Sequence, residues 1–124
     1  MRLYGKAGMT RKTYTGKCHC GSVEFEFDAD EITDGLRCTC SICKRLGCVH
    51  SMKIPPEDLR LTKGENDIHT YSWGDGEIPF TFCKHCGVYL YYSVAIQSRI
   101  NLGCVDAVDT FSLNITVFDG KNLL

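Results

Sequence analysis

The strongest constraint on what this chain can fold into is the grouping of its cysteines. Seven of the nine cysteines lie in three short clusters, Cys18-His19-Cys20, Cys38-Thr39-Cys40-Ser41-Ile42-Cys43 and Cys83-Lys84-His85-Cys86. Cysteines at Cys-x-Cys and Cys-x-x-Cys spacing are typical zinc ligands. A tetrahedral zinc site takes four ligands, so seven thiols divide into one closed site and one site with three cysteine ligands. A closed site holds a fold together, whereas a three-ligand site leaves a position for water or a substrate.

Composition and charge argue against several classes of function. The chain of 124 residues carries 14 Lys and Arg against 15 Asp and Glu, a net charge of −1, so it lacks the basic excess of a nucleic-acid-binding protein. No segment approaches the roughly 18 consecutive apolar residues of a membrane span, and the N-terminus shows no apolar core of a secretion signal. We therefore expect a cytoplasmic protein with no membrane or nucleic-acid partner, in which reduced thiols bind metal.

The hydrophobic pattern predicts a mainly β chain with antiparallel neighbours. From Ser22 the apolar residues Val23, Phe25 and Phe27 alternate with polar ones, the period-2 pattern of a strand with one buried face. Further runs rich in β-branched and aromatic residues predict strands over residues 47–54, 59–63, 68–73, 88–94, 100–105 and 111–118. The pattern becomes regular only near Thr13. We therefore predict a flexible tail over residues 1–12 and a single domain over residues 13–124.

Helical signals are confined to one or two short turns. Residues 41–46 precede Gly47, a typical helix stop, and residues 55–59 begin with two prolines. Tight turns are predicted at residues 73–76 and at Asp119-Gly120, a pair that commonly closes hairpins.

Two of the clusters predict a closed zinc site. Cys83-x-x-Cys86-Gly87 has the form of a zinc knuckle. The pair Cys18-x-Cys20 is likewise followed by a glycine, Gly21. Pairing the clusters predicts a structural site across a long loop, in which folding is coupled to metal binding and the ligands are Cys18, Cys20, Cys83 and Cys86.

The middle cluster has no fourth cysteine within its own loop. Its members are Cys38, Cys40 and Cys43. A fourth ligand from the chain would make a second structural site, and the candidates are Cys48, His50 and Cys104. A non-protein ligand in that position would leave the site open to chemistry. Nearby cations offer an anion-binding rim for a carboxylate ligand, and these are Lys44, Arg45 and Lys53.

The three motifs, in this order and spacing, resemble those of the glutathione-dependent formaldehyde-activating enzyme family, which also includes centromere protein V. They are Cys18-x-Cys20-Gly21-x-Val23, Cys38-x-Cys40-Ser41-x-Cys43 and Phe82-Cys83-x-x-Cys86-Gly87, and the resemblance covers about residues 13 to 120. It implies a β-tent fold of layered antiparallel sheets with two Zn²⁺ ions per chain. One zinc is structural, and the second is the catalytic zinc held by Cys38, Cys40 and Cys43.

The activity that the resemblance implies is a carbon–sulfur lyase reaction, in which glutathione and formaldehyde form S-(hydroxymethyl)glutathione. Three thiolates with a vacant position suit an incoming thiol as the fourth ligand, because the site is rich in soft donors. The same donors weaken the zinc as a Lewis acid, so thiol capture is favoured over carbonyl activation. The segment over residues 55–79 shows neither a general base nor a complete glutathione pocket.

Three other functions compete with this one. A non-enzymatic zinc-stapled interaction module uses the same fold, since fold does not fix function. Methionine sulfoxide reduction requires an unligated nucleophilic cysteine, for which Cys104 is a better candidate than Cys48. A dithiol oxidoreductase expects a helix directly after Cys-x-x-Cys in a βαβ unit, whereas this chain shows mostly strands.

Overall fold

The computed structural model describes residues 11–73 and 78–123, and most of their ordered backbone is β-strand. The nine strands in the described residues are β1 Arg11–Lys17, β2 Glu24–Asp30, β3 Asp34–Cys38, β4 Leu59–Lys63, β5 Ile68–Trp73, β6 Ile78–Cys83, β7 Tyr89–Ser93, β8 Ser98–Ile100 and β9 Asn114–Phe118. Two short helices accompany them, α1 Ser41–Leu46 and α2 Gly120–Leu123. The mainly β prediction and the helical turn at residues 41–46 are therefore confirmed.

The first sheet is antiparallel and has the order β1-β2-β4. Its central strand β2 alternates as predicted, with Phe25, Phe27 and Ala29 buried. On the opposite face the guanidinium of Arg60 donates to both carboxylate oxygens of Asp28, at 2.9 and 3.1 Å. One face of the sheet thus supplies core and the other supplies a polar surface.

Strand β1 begins before the point at which the sequence pattern becomes regular. Arg11 pairs with Asp30 and Lys12 with Ala29, so these two residues of the expected tail belong to the sheet. Their side chains are exposed, and an exposed edge strand carries little of the apolar alternation from which strands are predicted. Residues 1–10 of that tail lie outside the described residues.

The second sheet is also antiparallel, with the order β5-β6-β7-β8. Strand β6 was not predicted, because Pro79 lies near its start and proline is rare inside strands. The strands predicted over residues 59–63, 68–73 and 88–94 are present as β4, β5 and β7. The turn predicted over residues 73–76 lies outside the described residues beyond Trp73.

A third, two-stranded sheet departs from the expected antiparallel pairing. Strands β3 and β9 run parallel, with Leu36 opposite Thr116 and Cys38 opposite Phe118. These strands stand far apart in the sequence, and a long connection allows parallel pairing where a tight hairpin does not. Strand β3 was not predicted, and only the second half of the run predicted over residues 111–118 is strand.

A turn is present where one is predicted at Asp119-Gly120, because the Asn122 N–H donates to the Asp119 carbonyl at 3.3 Å, but it leads into α2 and does not close a hairpin among the described residues. The Asp119 carboxylate instead accepts a hydrogen bond from the Thr39 hydroxyl at 2.9 Å, and α2 begins at the next residue. Asn122 also donates to this carboxylate, at 2.8 Å. Asp119 thus begins a helix, a role that aspartate fills as well as it fills a turn.

Two predicted strands are largely replaced by single bridges and turns. Residues 47–54 cross between sheets, and His50 bridges both Leu36 and Asn101. In the run over residues 100–105, the strand ends at Ile100 and a 3-10 turn follows at Leu102–Cys104. Both apolar runs are buried, but most of their residues do not pair with a neighbouring strand. Composition indicates that a run is buried and does not reveal whether it is paired.

The core lies between the first and second sheets. Its largest fully buried side chains include Phe25, Phe27, Leu90, Ile100 and Leu102. The rings of Phe25 and Tyr91 meet edge to face at a centroid distance of 5.3 Å and join the two sheets. No helix among the described residues is long and apolar enough to cross a membrane.

Candidate metal centres

The first candidate centre joins two distant turns. Cys18 and Cys20 lie between β1 and β2, Cys83 ends β6, and Cys86 lies in the turn before β7. The four sulfur atoms all lie within 4.8 Å of one another. The Sγ of Cys20 is 3.7 Å from that of Cys18 and 3.7 Å from that of Cys83. The structure therefore brings together the four cysteines that the motifs paired.

Backbone geometry directs these sulfurs to one point. Gly21 and Gly87 have φ values of 82° and 77°, and a Cβ on either would meet nothing within 4 Å. Glycine is therefore favoured at both turns for its backbone conformation and not for space. The backbone N–H of Val23 donates to the Sγ of Cys18, and that of His85 donates to the Sγ of Cys83, both at 3.3 Å. Such donors stabilise thiolate ligands.

The four-cysteine geometry fits a tetrahedral zinc ion. Zn–S bonds of about 2.3 Å place the sulfurs of a tetrahedron roughly 3.8 Å apart, close to the observed 3.7 Å. Although burial opposes ionisation, hydrogen bonds from the backbone of Val88 and Cys20 lower the pKa of Cys86 to about 6. A hydrogen bond with Ser22 lowers the pKa of Cys20. Lowered values favour the deprotonated thiols that metals bind, whereas burial raises the pKa of Cys83 to about 11.

The second candidate centre is local to the junction of β3 and α1. Cys38 ends the strand, Cys40 occupies the N-cap position of the helix, and Cys43 lies in its first turn. Their three sulfurs lie within 4.8 Å of one another. The helix ends at Gly47 with φ 66°, as predicted, and Ser41 is its first residue. One turn of helix thus gathers three thiols from six residues of chain.

The second cluster has the donor chemistry of a metal site. Burial raises the pKa of both Cys38 and Cys43, and the neighbouring thiol of Cys40 raises that of Cys43 further. Close thiols disfavour ionisation when no cation lies among them, whereas a bound metal stabilises their thiolate forms and releases the protons. The residues present therefore fit a soft divalent cation.

The candidate fourth ligands are engaged elsewhere. Among the described residues, none joins the three sulfurs of the second cluster within 4.8 Å. His50 Nε2 lies 2.8 Å from the Tyr89 hydroxyl, and Cys48 Sγ lies 3.7 Å from His50 Nδ1. The thiol of Cys104 donates to the Tyr89 carbonyl at 3.3 Å. His50 and Cys104 thus contact Tyr89, Cys48 contacts His50, and none of the three joins the cluster.

The two remaining cysteines lack the character of nucleophiles. Burial raises the pKa of Cys48 to about 11 and that of Cys104 to about 12. A reactive cysteine has a lowered pKa and solvent access, but Cys104 is only 6% exposed. These environments favour buried structural thiols over the cysteine that methionine sulfoxide reduction requires.

A cavity of about 360 Å³ opens beside the three-cysteine cluster. Its walls are mostly apolar and include Leu36, Trp73, Ile78, Phe80, Tyr92 and Phe118. Its polar lining consists of His50, Lys53, Gln97 and Arg99 in addition to the three cysteines. A volume in the range of roughly 300–1,000 Å³ is typical of small-molecule sites.

The cationic lining differs from the predicted rim. Lys53 lines the cavity as expected, but Lys44 and Arg45 do not, and the Arg45 guanidinium donates to the Ser41 carbonyl at 3.0 Å. Arg99 takes their place and was missed by the sequence reasoning. Its position in a short strand, between Ser98 and Ile100, carries no motif that would have identified it.

The chain matches the model of the family described as glutathione-dependent formaldehyde-activating enzyme over residues 13–120. Its fold is similar to the crystal structure of a Rhodobacter sphaeroides protein, with a TM-score of 0.70 and 28% sequence identity. That similarity covers 82% of this chain and 99% of the other. The two share one architecture over most of their length.

Proposed function

This chain belongs to the glutathione-dependent formaldehyde-activating enzyme family, and from that premise we propose that it is a zinc-dependent carbon–sulfur lyase acting on a thiol such as glutathione. The proposed reaction resembles that of S-(hydroxymethyl)glutathione synthase, which joins glutathione to formaldehyde. We place it in the cytoplasm, because all nine cysteines are free thiols in the structure and reduced thiols are typical of that compartment.

The proposal assigns two Zn²⁺ ions to each chain. The structural ion is held by Cys18, Cys20, Cys83 and Cys86, whose sulfur spacing supports a closed tetrahedral site. The second is held by Cys38, Cys40 and Cys43, which are the catalytic residues of the proposal because they hold the reacting sulfur in place. When bound there, zinc supplies a soft coordination position at which a thiol substrate loses its proton.

One observation carries the functional assignment. Three thiols form a cluster to which no fourth described residue contributes, and that cluster opens into a cavity large enough for a substrate. A fourth protein ligand would have favoured a second structural site. The cavity beside an incomplete ligand set instead favours chemistry on a small molecule.

The proposed addition is redox-neutral. The thiol sulfur bonds to the carbonyl carbon, the carbonyl π electrons move to oxygen, and the proton lost by the thiol ends on that oxygen. Apolar walls from Trp73, Phe80 and Phe118 line the cavity in which the reacting atoms would meet, and Lys53 and Arg99 provide positive charge for an anionic substrate. Holding two reactants in one cavity contributes several kcal/mol to an addition of this kind.

Metal analysis and thiol titration test this function. We expect two zinc ions per chain, and in cobalt-substituted protein we expect added glutathione to change the absorption of one metal. Cys43→Ser should abolish that change and the formation of S-(hydroxymethyl)glutathione followed by NMR. Cys48→Ser, which alters a half-buried thiol outside the cluster, serves as the matched control. A single zinc per chain, with Cys38, Cys40 and Cys43 unligated, would refute the proposal.

The alternative, a non-enzymatic zinc-stapled module, has one observation in its favour. Strand β9 is exposed at every position, and Val117 and Ile115 are 63% and 40% exposed. An exposed apolar edge strand is suited to pairing with the same strand of a second copy. This function predicts that Val117→Lys abolishes dimerisation in sedimentation experiments while Cys43→Ser leaves it intact. A monomer at all concentrations would exclude it.

A further inference from the structure

The cavity beside the three-cysteine cluster combines two chemistries that one ligand would have to satisfy. Rings from four different strands form most of its wall, and these are Trp73, Phe80, Tyr92 and Phe118. Phe80 is almost fully buried, at 2% exposure, and its ring contacts that of Tyr92 at a centroid distance of 5.3 Å. Such packed aromatic walls bind apolar groups through burial and ring contacts.

The polar part of the same cavity is cationic. Lys53 and Arg99 line it, and among the described residues, which leave out 74–77, its lining includes no aspartate or glutamate. The salt bridges among the described residues involve neither cation. One nitrogen of Arg99 donates to the Ser51 carbonyl at 2.9 Å, which orients the guanidinium. A guanidinium held in place by a backbone carbonyl is suited to a carboxylate.

Glutathione matches this lining only in part. Its carboxylates suit Lys53 and Arg99, but its ammonium group and two amides need partners that aromatic walls do not provide. A polar group moved from water onto an apolar wall without a hydrogen bond is destabilising. The cavity therefore favours a thiol with fewer polar groups and more apolar surface.

We propose that the preferred substrate is an apolar thiol acid, which carries an aryl or branched alkyl group as a branch beside its thiol and its carboxylate. The thiol lies at Cys38, Cys40 and Cys43, the aryl or alkyl group packs against the aromatic wall, and the carboxylate binds Arg99. This inference rests on the proposed function, because it names the substrate class of the same site.

Four thiols test the preference in zinc-loaded and cobalt-substituted protein. They are 2-mercapto-3-phenylpropanoate, 2-mercaptopropanoate, which lacks the phenyl group, 2-phenylethanethiol, which lacks the carboxylate, and glutathione. Trp73 is the single tryptophan of the chain and lies in the cavity wall, so its fluorescence reports occupancy. Cobalt absorption reports ligation by the thiol. We expect 2-mercapto-3-phenylpropanoate to bind at least about tenfold more tightly than each of the other three.

Two variants compare an arginine that lines the cavity with an arginine that does not. Arg99→Met should remove the advantage of 2-mercapto-3-phenylpropanoate over 2-phenylethanethiol, whereas Arg45→Met should preserve it. The comparison of ligands on the unaltered protein needs neither variant, so it remains decisive if Arg99→Met fails to fold.

The outcomes distinguish this inference from the function on which it rests. Tighter binding of glutathione, or equal binding of all four thiols, overturns the inference while leaving the proposed lyase function intact. If no thiol alters the cobalt absorption, both are wrong. An unchanged preference in Arg99→Met overturns the assignment of the carboxylate to that residue.

Discussion

Replacing Cys83 with serine should destabilise the protein far more than replacing Cys43, although each change removes one cysteine from a candidate metal centre. Cys83 is fully buried, and its sulfur lies against that of Cys20, which is 63 residues away in the sequence. A cross-link over that separation restricts the unfolded chain by about 4 kcal/mol when treated as a closed loop. The corresponding value for the six-residue span from Cys38 to Cys43 is about 2 kcal/mol.

The positions of the two centres in the fold increase the expected difference in stability between Cys83→Ser and Cys43→Ser. The four-cysteine centre connects the β1–β2 turn of the first sheet to the second sheet, whereas the three-cysteine cluster lies within one strand–helix junction. Structural zinc contributes roughly 10–16 kcal/mol in small zinc domains, which is comparable to the whole stability of a domain. Cys83→Ser is therefore expected to leave little folded protein at 25 °C, and Cys43→Ser is expected to remain folded.

Guanidinium denaturation at saturating zinc, followed by far-UV circular dichroism and by metal content, measures both effects. The expected result is an absent or strongly shifted transition for Cys83→Ser with loss of zinc. Cys43→Ser should keep its transition within about 2 kcal/mol of the wild type and lose one metal. Equal destabilisation by the two substitutions would refute the assignment of separate structural and open centres.

Three features outside the centres have measurable consequences. Burial lowers the pKa of His50 from 6.5 to about 4, so the unfolded chain takes up this proton first as the pH falls. The wild type should therefore lose about 3 kcal/mol of stability relative to His50→Gln between pH 6.5 and pH 4, and parallel denaturation profiles would contradict this. Gly64→Ala places a Cβ against the Ser22 carbonyl at a φ of 86° and should cost roughly 1–3 kcal/mol. The control Gly47→Ala has a φ of 66° but an unobstructed Cβ, and an equal fall in Tm would exclude the clash as the cause. Hydrogen bonds from its arginine partner lower the pKa of Asp28 from 3.8 to about 2, so Asp28→Asn should be less stable than the wild type at pH 7. That deficit should shrink as the pH falls from about 4 through 2, where the native carboxylate is protonated, and a constant deficit in urea titrations would argue against the pairing.

The sequence pattern predicted a strand correctly where apolar residues alternate along the chain with the same period as buried residues do in the structure. Strand β2 is the best case, since Phe25 and Phe27 alternate with polar residues and face the core. Strand β6 was missed because it contains Pro79, and its place in the sheet depends on neighbours that come from elsewhere in the chain. His50 lies in a run that resembles a strand, yet its backbone forms only single bridges to two different segments. Residue propensity indicates whether a segment can form a strand. Which neighbouring strand it pairs with depends on the rest of the chain.

By itself the sequence determined the chemistry available to this protein. Three cysteine clusters at ligand spacing are local features, and a glycine directly follows two of them. The tertiary structure alone decided what faces the open cluster. Trp73, Phe80, Arg99 and Phe118 come from four separate strands, and their meeting depends on how the sheets pack. Periodicity along a chain records which residues are buried, but it contains no information about which elements lie opposite one another.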